Sequence, residues 1–134
     1  EALADGTIDC VATDHAPHSL EDKEVEFEHA AFGVIGLETS FALGYALVKQ
    51  NVLSLKQLVA AMTCKPARLF GLPWSGITEG APADLAMFDL EHESVYDVQT
   101  SASRSRNSPF GGHPMPARWL LTVVGGTIAA EATR

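Results

Sequence analysis

The residues best suited to chemistry stand together near the start of the chain, in the segment Thr13-Asp14-His15-Ala16-Pro17-His18. They follow a short apolar run over residues 8–12, which predicts a buried strand. In barrels and open α/β sheets, reacting groups collect at the C-terminal ends of the strands. Burying a carboxylate and two imidazoles without partners is costly. The segment therefore predicts a binding or catalytic site at the end of this strand.

Asp14 is suited to two kinds of chemistry, as an oxygen ligand of a divalent metal or as a general base. A catalytic zinc site needs about three protein ligands, and the sequence has no HxH, HExxH or CxxC pattern. Asp14 alone therefore does not define a metal site. His18 is a candidate of similar standing, whereas His15 is expected to orient its neighbours by a hydrogen bond. Pro17 prevents a regular helix from aligning the two rings.

Helices are predicted in the first half of the chain. A polar, acidic loop is expected over residues 19–29, followed by a helix over residues 37–50. Ser54 and Gln57 have the spacing of a capping box, so a second helix begins there. Pro66 opens a short third helix.

Strands are predicted in the second half. The apolar runs cover residues 84–90, 94–98, 119–124 and 127–130, and the last two are joined by Gly125-Gly126, a hairpin signal. We therefore expect an α/β fold in two parts: residues 1–72 as the last βα units of a barrel, and residues 73–134 as a small β-rich domain.

The composition restricts the class of protein. The 134 residues are 46% hydrophobic and 19% charged, which predicts a globular core. A net charge of −8 argues against nucleic acid and anionic membranes as partners. No apolar run reaches the roughly 18 residues of a membrane span. Cys10 and Cys64 show no disulfide or metal pattern, which fits a reducing cytoplasm.

The remaining polar candidates are expected to be structural. His29, His92 and His113 stand alone in mostly polar surroundings. Arg104 and Arg106 are expected to form salt bridges with the acidic body of the protein. The serines between residues 101 and 108 predict a loop, since no GxSxG, Walker A or GxGxxG pattern occurs.

Two motifs together resemble the C-terminal third of the dihydroorotase family, within the amidohydrolase superfamily. They are residues 13–18 and the segment Phe32-Gly33-Val34-Ile35-Gly36-Leu37-Glu38-Thr39. Three further segments are similar to the same family: Pro66-Ala67-Arg68-Leu69-Phe70-Gly71-Leu72, Ala83-Asp84-Leu85 and Ser105-Arg106-Asn107-Ser108-Pro109-Phe110-Gly111. The resemblance covers essentially the whole chain.

This resemblance implies the C-terminal part of a metal-dependent (β/α)8 barrel followed by strands of a small β-rich domain. It implies zinc-dependent, reversible hydrolysis of dihydroorotate to N-carbamoyl-L-aspartate in pyrimidine biosynthesis, in the cytoplasm. Asp14 would be a zinc ligand and the proton shuttle, and His18 would contact the substrate carboxylate. Phe32 and Gly33 would meet the substrate through backbone groups.

The resemblance also implies what this chain lacks. The HxH motif of the first strand, the carboxylated lysine and the other histidine ligands have no counterpart, so we expect a piece of a longer protein that is inactive alone. The rest of the barrel, another copy of the chain, a homodimer or an aspartate transcarbamoylase are the expected partners. The alternatives are another cyclic amidase, such as a hydantoinase or allantoinase, and a non-catalytic dihydroorotase-like scaffold.

Overall fold

Apart from a 3₁₀ helix at Val98–Thr100, the helices of the computed structural model, which describes residues 1–132, all lie in the first seventy residues. They are short, at four to ten residues each. In chain order they are α1 (Ala2–Asp5), α2 (Leu20–Lys23), α3 (Ser40–Lys49), α4 (Leu55–Met62) and α5 (Cys64–Leu69).

Helices α3 and α4 pack closely and form one part of the core. The predicted capping box is confirmed: the Ser54 hydroxyl accepts from the Gln57 amide, and the Gln57 side chain accepts from the Ser54 amide. Leu58 of α4 is completely buried against Gly44 of α3. A β-carbon at Gly44 would lie 2.5 Å from Leu58 Cδ1, so the two helices approach closely because this residue has no side chain.

The strands form two small antiparallel sheets. Strands β1 (Leu85–Asp89), β4 (Arg118–Val124) and β5 (Thr127–Glu131) pair in the order β1-β4-β5. Strands β2 (Ser94–Val95) and β3 (Pro114–Met115) pair separately. The predicted hairpin is confirmed, since Gly125 and Gly126 connect β4 to β5 with φ values of 54° and 81°.

An aromatic contact joins the helices to the larger sheet. The rings of Phe41 on α3 and Phe88 on β1 are stacked with centroids 3.8 Å apart. Residues of the connection between β2 and β3 also reach back to the first half of the chain, as the site below shows. The division into residues 1–72 and 73–134 stays a prediction, and residues 133–134 lie outside the described part of the chain.

Two sequence-based expectations are wrong. Residues 8–12 form no strand, because the segments described here supply no ladder alongside them: Val11 donates only to Ala61 O, and the nearest bridge is the single parallel pair His15 and Val34. The expected loop over residues 19–29 contains α2, which is stabilised by a capping box between Ser19 and Asp22.

Within residues 1–132, no helix has the length and apolar character needed to cross a bilayer.

Candidate functional site

Asp14 lies in an unusual backbone conformation next to the bridge between His15 and Val34. Its φ is 42°, in the left-handed region, which aspartate tolerates better than most residues. The side chain is exposed and makes no hydrogen bond to any other residue of the described part. The carboxylate is therefore available to a ligand, a metal or a proton.

His18 is held at both its backbone and its ring. Its amide donates to Ser105 Oγ at 3.2 Å and to Asn107 Oδ1 at 3.3 Å, and Nε2 lies 2.7 Å from the Phe32 carbonyl oxygen. A carbonyl only accepts, so Nε2 carries the proton in this arrangement. Nδ1 is then the ring atom that remains for a ligand.

The backbone of Phe32 and Gly33 passes within contact distance of residues 16–18. Gly33 has a φ of 97°, and a β-carbon there would lie 2.6 Å from Ala16 Cβ. Only glycine fits both the conformation and the contact. The sequence-based candidates His18, Phe32 and Gly33 are therefore brought together.

Within residues 1–132, the carbonyl groups of Phe32 and Gly33 are hydrogen-bonded, whereas their amide groups are not. Phe32 O accepts from His18, and Gly33 O accepts from Asn107 Nδ2 and Lys23 Nζ, at 3.2 and 3.1 Å. The amides of Phe32 and Gly33 have no acceptor within residues 1–132. The free groups are donors, which suit a ligand with carbonyl or carboxylate oxygens.

Sequence reasoning missed three residues that build this site: Lys23, Ser105 and Asn107. Lys23 donates to Ala31 O at 2.6 Å as well as to Gly33 O. The Ser105 hydroxyl proton is shared between His18 O and Asn107 Oδ1, and Asn107 Nδ2 donates to Ala16 O. The bonds of Ser105 and Asn107 reach positions up to 91 residues away, and no local pattern predicts such pairs. The resemblance of residues 105–111 to the dihydroorotase family marked the segment without giving it a role.

His15 takes a structural position beside the site. Its Nδ1 accepts from the Gly36 amide at 3.2 Å, so a neutral ring carries its proton on Nε2. This is the orienting role expected of it.

The other polar candidates lie outside the site or act locally. Arg106 donates to the carbonyls of Ser103 and Ser105, and the salt bridges expected for Arg104 and Arg106 are not formed among residues 1–132. The guanidinium of Arg106 instead fixes the loop that carries Ser105.

A cavity of about 340 Å³ is lined by residues 35–38 together with Tyr96 and Ser101. His15 also contributes to its wall, whereas Asp14, His18, Phe32 and Gly33 do not. The cavity therefore adjoins the candidate site only through His15.

The candidate site supplies one possible metal ligand, which is fewer than a metal site needs. The exposed, unpaired carboxylate of Asp14 is chemically suited to a divalent cation. However, no group of three or more His, Cys, Asp or Glu side chains within residues 1–132 could hold a metal ion. A tight metal site would need ligands from outside these residues.

Comparison with known proteins places the chain in a family. A model of the amidohydrolase family matches residues 1–129. A dihydroorotase from Anaeromyxobacter dehalogenans (strain 2CP-1) is 47% identical over 131 residues, 98% of this chain and 30% of that protein. A dihydroorotase from Bacillus caldolyticus is 49% identical over 135 residues, 100% of this chain and 32% of that protein. The chain thus spans about a third of the length of these relatives.

Solved structures of hydantoinases share the fold. The L-hydantoinase (dihydropyrimidinase) from Arthrobacter aurescens superposes with a TM-score of 0.89 at 38% identity, over 100% of this chain and 31% of that one. The D-hydantoinase (dihydropyrimidinase) from Thermus sp. gives a TM-score of 0.86 at 31% identity, over 97% of this chain and 30% of that one. Since the family model covers nearly every residue, the chain belongs to the amidohydrolase family.

Proposed function

We propose that this chain is the C-terminal part of a dihydroorotase, which interconverts dihydroorotate and N-carbamoyl-L-aspartate in pyrimidine biosynthesis. The observation that carries the proposal is 47–49% identity to proteins named dihydroorotase over essentially the whole chain. The hydantoinase structures are less similar in sequence, at 38% and 31%.

Asp14 is the proton-transferring group in this proposal and one ligand of a zinc centre whose other ligands lie outside residues 1–132. Bound zinc lowers the pKa of water and polarises a carbonyl group. The Asp14 carboxylate accepts a proton from the attacking water and returns it to the ring nitrogen as the cyclic amide opens. Its exposure and lack of internal hydrogen bonds support this role.

His18 and the backbone of Phe32 and Gly33 bind the substrate. With Nε2 bonded to Phe32 O, a doubly protonated ring presents Nδ1–H to the carboxylate of dihydroorotate. The two unpaired amides offer further donors to substrate oxygens. These fixed hydrogen-bond donors are complementary to the negatively charged carboxylate of the substrate.

The fold proposed for the whole protein is a (β/α)8 barrel with a small β-rich domain. Residues 1–72 would supply the last βα units and residues 73–134 strands of the small domain. The remainder of the barrel is the proposed partner of this chain, and a homodimer or an aspartate transcarbamoylase is a further partner of the whole enzyme. The proposed location is the cytoplasm.

The test is a substrate panel with the complete enzyme that carries this chain. Dihydroorotate, dihydrouracil, hydantoin and allantoin are supplied separately, and ring opening is followed by chromatography. We expect dihydroorotate to be opened with the highest kcat/KM, and N-carbamoyl-L-aspartate to be cyclised in the reverse direction. A preference for any of the other three substrates would overturn the proposal.

A hydantoinase is the second candidate, because the solved structures named above are hydantoinases. Hydantoin and dihydrouracil lack the carboxylate that dihydroorotate carries beside its ring nitrogen. An enzyme of that class would therefore open the uncharged rings faster, which the same panel measures. The non-catalytic scaffold predicts that none of the four substrates is opened.

A further inference from the structure

The side-chain amide of Asn107 is the meeting point of three segments of the candidate site. Nδ2 donates to Ala16 O at 2.8 Å and to Gly33 O at 3.2 Å. Oδ1 accepts from the His18 amide and from the Ser105 hydroxyl. Both N–H donors of the amide are used, and Oδ1 accepts from the His18 amide and shares the single Ser105 hydroxyl proton with His18 O.

The orientation of this amide is fixed by its partners. Nδ2 faces two carbonyl oxygens, which only accept, and Oδ1 faces the His18 N–H, which only donates. A flipped amide would set oxygen against oxygen on one side and N–H against N–H on the other.

The bonds of Asn107 link the groups that the proposed function assigns to the substrate. His18 is bonded to Asn107 through its amide and to Phe32 O through its ring. Gly33 is bonded to the same amide, and the Asn107 backbone oxygen accepts from the Ile35 amide at 3.1 Å. Beside the direct bond between the His18 ring and Phe32 O, the Asn107 side chain thus links the His18 backbone to the backbone of Gly33.

We propose that Asn107 is a positioning residue for substrate binding, which holds His18 and the backbone of residues 32–33 at the separation that the substrate carboxylate requires. The proposal rests on the dihydroorotase function inferred above and adds a residue to its site. Asn107 acts through these groups, because its own hydrogen-bonding capacity is used within the protein.

The variants are chosen to remove different numbers of the hydrogen bonds around Asn107. Asn107→Ala removes all the side-chain bonds. Asn107→Asp keeps the shape of the side chain but sets a carboxylate oxygen against the carbonyls of Ala16 and Gly33. We therefore expect that it does not restore substrate binding. Ser105→Ala removes the hydroxyl bonds to His18 O and Asn107 Oδ1 and the bond that Ser105 Oγ accepts from the His18 amide, but leaves the bonds from Asn107 Nδ2 to Ala16 O and Gly33 O. Ser108→Ala is the matched control in the same loop, since its hydroxyl accepts only from the Phe110 amide.

The first measurement is steady-state kinetics of the complete enzyme with dihydroorotate. Asn107→Ala is expected to raise KM about tenfold or more, because several hydrogen bonds that hold the binding groups are lost, and to change kcat by less than about threefold. Ser105→Ala gives a smaller rise in KM, and Ser108→Ala leaves both constants unchanged. An unchanged KM in Asn107→Ala overturns the proposal.

The second measurement needs no substrate and separates this proposal from the proposed function. Amide hydrogen exchange in Asn107→Ala is expected to rise at His18, whose N–H group bonds to the Asn107 side chain, and to stay unchanged in α4. If exchange rises equally in α4, the residue is a general structural one and the inference fails. If the wild-type enzyme does not open dihydroorotate, the proposed function fails, and exchange at His18 alone decides whether Asn107 positions these groups.

Discussion

At the scale of single residues, the candidate site contains both a side chain without hydrogen bonds in residues 1–132 and side chains that hydrogen bonds hold in place. Asp14 has no hydrogen bond within the described part of the chain, whereas the backbone and ring of His18 are both held. A proton-transferring group must change its partners during a reaction, and a binding group gains from being fixed in advance. This contrast is consistent with the roles proposed for the two side chains.

Replacing the Asp14 carboxylate with an amide tests its role in proton transfer. Asp14→Asn in the complete enzyme keeps the size of the side chain and removes the basic oxygen. We expect kcat for dihydroorotate to fall by at least about 100-fold, the lower limit of a general acid–base contribution. Asp9→Asn serves as the control in the same segment. A kcat within threefold of the wild-type value would contradict the role.

Removing the His18 ring tests the proposed contact with the substrate carboxylate. His18→Ala is expected to lower kcat/KM for dihydroorotate by about 10- to 100-fold, mainly through KM, because a charge-assisted hydrogen bond is lost. His29→Ala is the matched control, since His29 is exposed and its side chain makes no hydrogen bond in the described residues. Equal effects of the two substitutions would rule out a specific role for His18.

At the scale of elements, short sequence motifs predict those structural features that are formed by residues close together in the chain. The capping box at Ser54 and the Gly125-Gly126 hairpin were predicted because each needs only a few consecutive residues. The strand over residues 8–12 was wrong because a strand requires a partner, which hydrophobicity does not provide. The bonds of Asn107 to Ala16, His18 and Gly33 could not be predicted because these partners lie 74 to 91 residues away.

The contact between α3 and α4 predicts that the effect of Gly44→Ala on thermal stability reverses when Leu58 is shortened. Gly44→Ala gains up to about 1 kcal/mol of helix propensity, but its β-carbon collides with the buried Leu58, and overpacking costs about 1–3 kcal/mol. We expect a lower thermal midpoint of the complete enzyme. In a Leu58→Ala background the space is open, so Gly44→Ala should raise the midpoint.

Gly111→Ala is the control for this pair, because its added β-carbon would make only an ordinary contact with Val98, at 3.4 Å. If Gly44→Ala raises the midpoint in both backgrounds, helix propensity outweighs the packing and the described contact is not tight.

At the scale of the whole molecule, the site is incomplete within residues 1–132. The candidate site contributes the carboxylate of Asp14 as a possible metal ligand, and residues 1–132 contain no cluster of three possible ligands. Several large apolar side chains are also almost fully exposed, among them Phe27 at 96% and Ile77 at 92%. Exposed apolar surface of this kind is typical of faces that another part of a protein covers.

The purified 134-residue chain is therefore expected neither to open dihydroorotate nor to retain zinc. Its metal content after dialysis against zinc and a desalting step is measured by mass spectrometry, and the complete enzyme serves as the positive control. Stoichiometric zinc or measurable turnover in the isolated chain would show that residues 1–134 form a site without further ligands.

The bonds made by Asn107 also set an order of events during synthesis. Helices α3 to α5 lie between residues 40 and 69, α4 has its own capping box, and the bonds within the three helices are local, so they can form before residue 107 is translated. His18 and Gly33 emerge earlier, yet both wait for residue 107 before the amide that joins them is available. These early groups of the site are therefore fully fixed only late, and a nascent chain that stops short of Ser105 and Asn107 holds them by the bonds to Phe32 O and Lys23 alone.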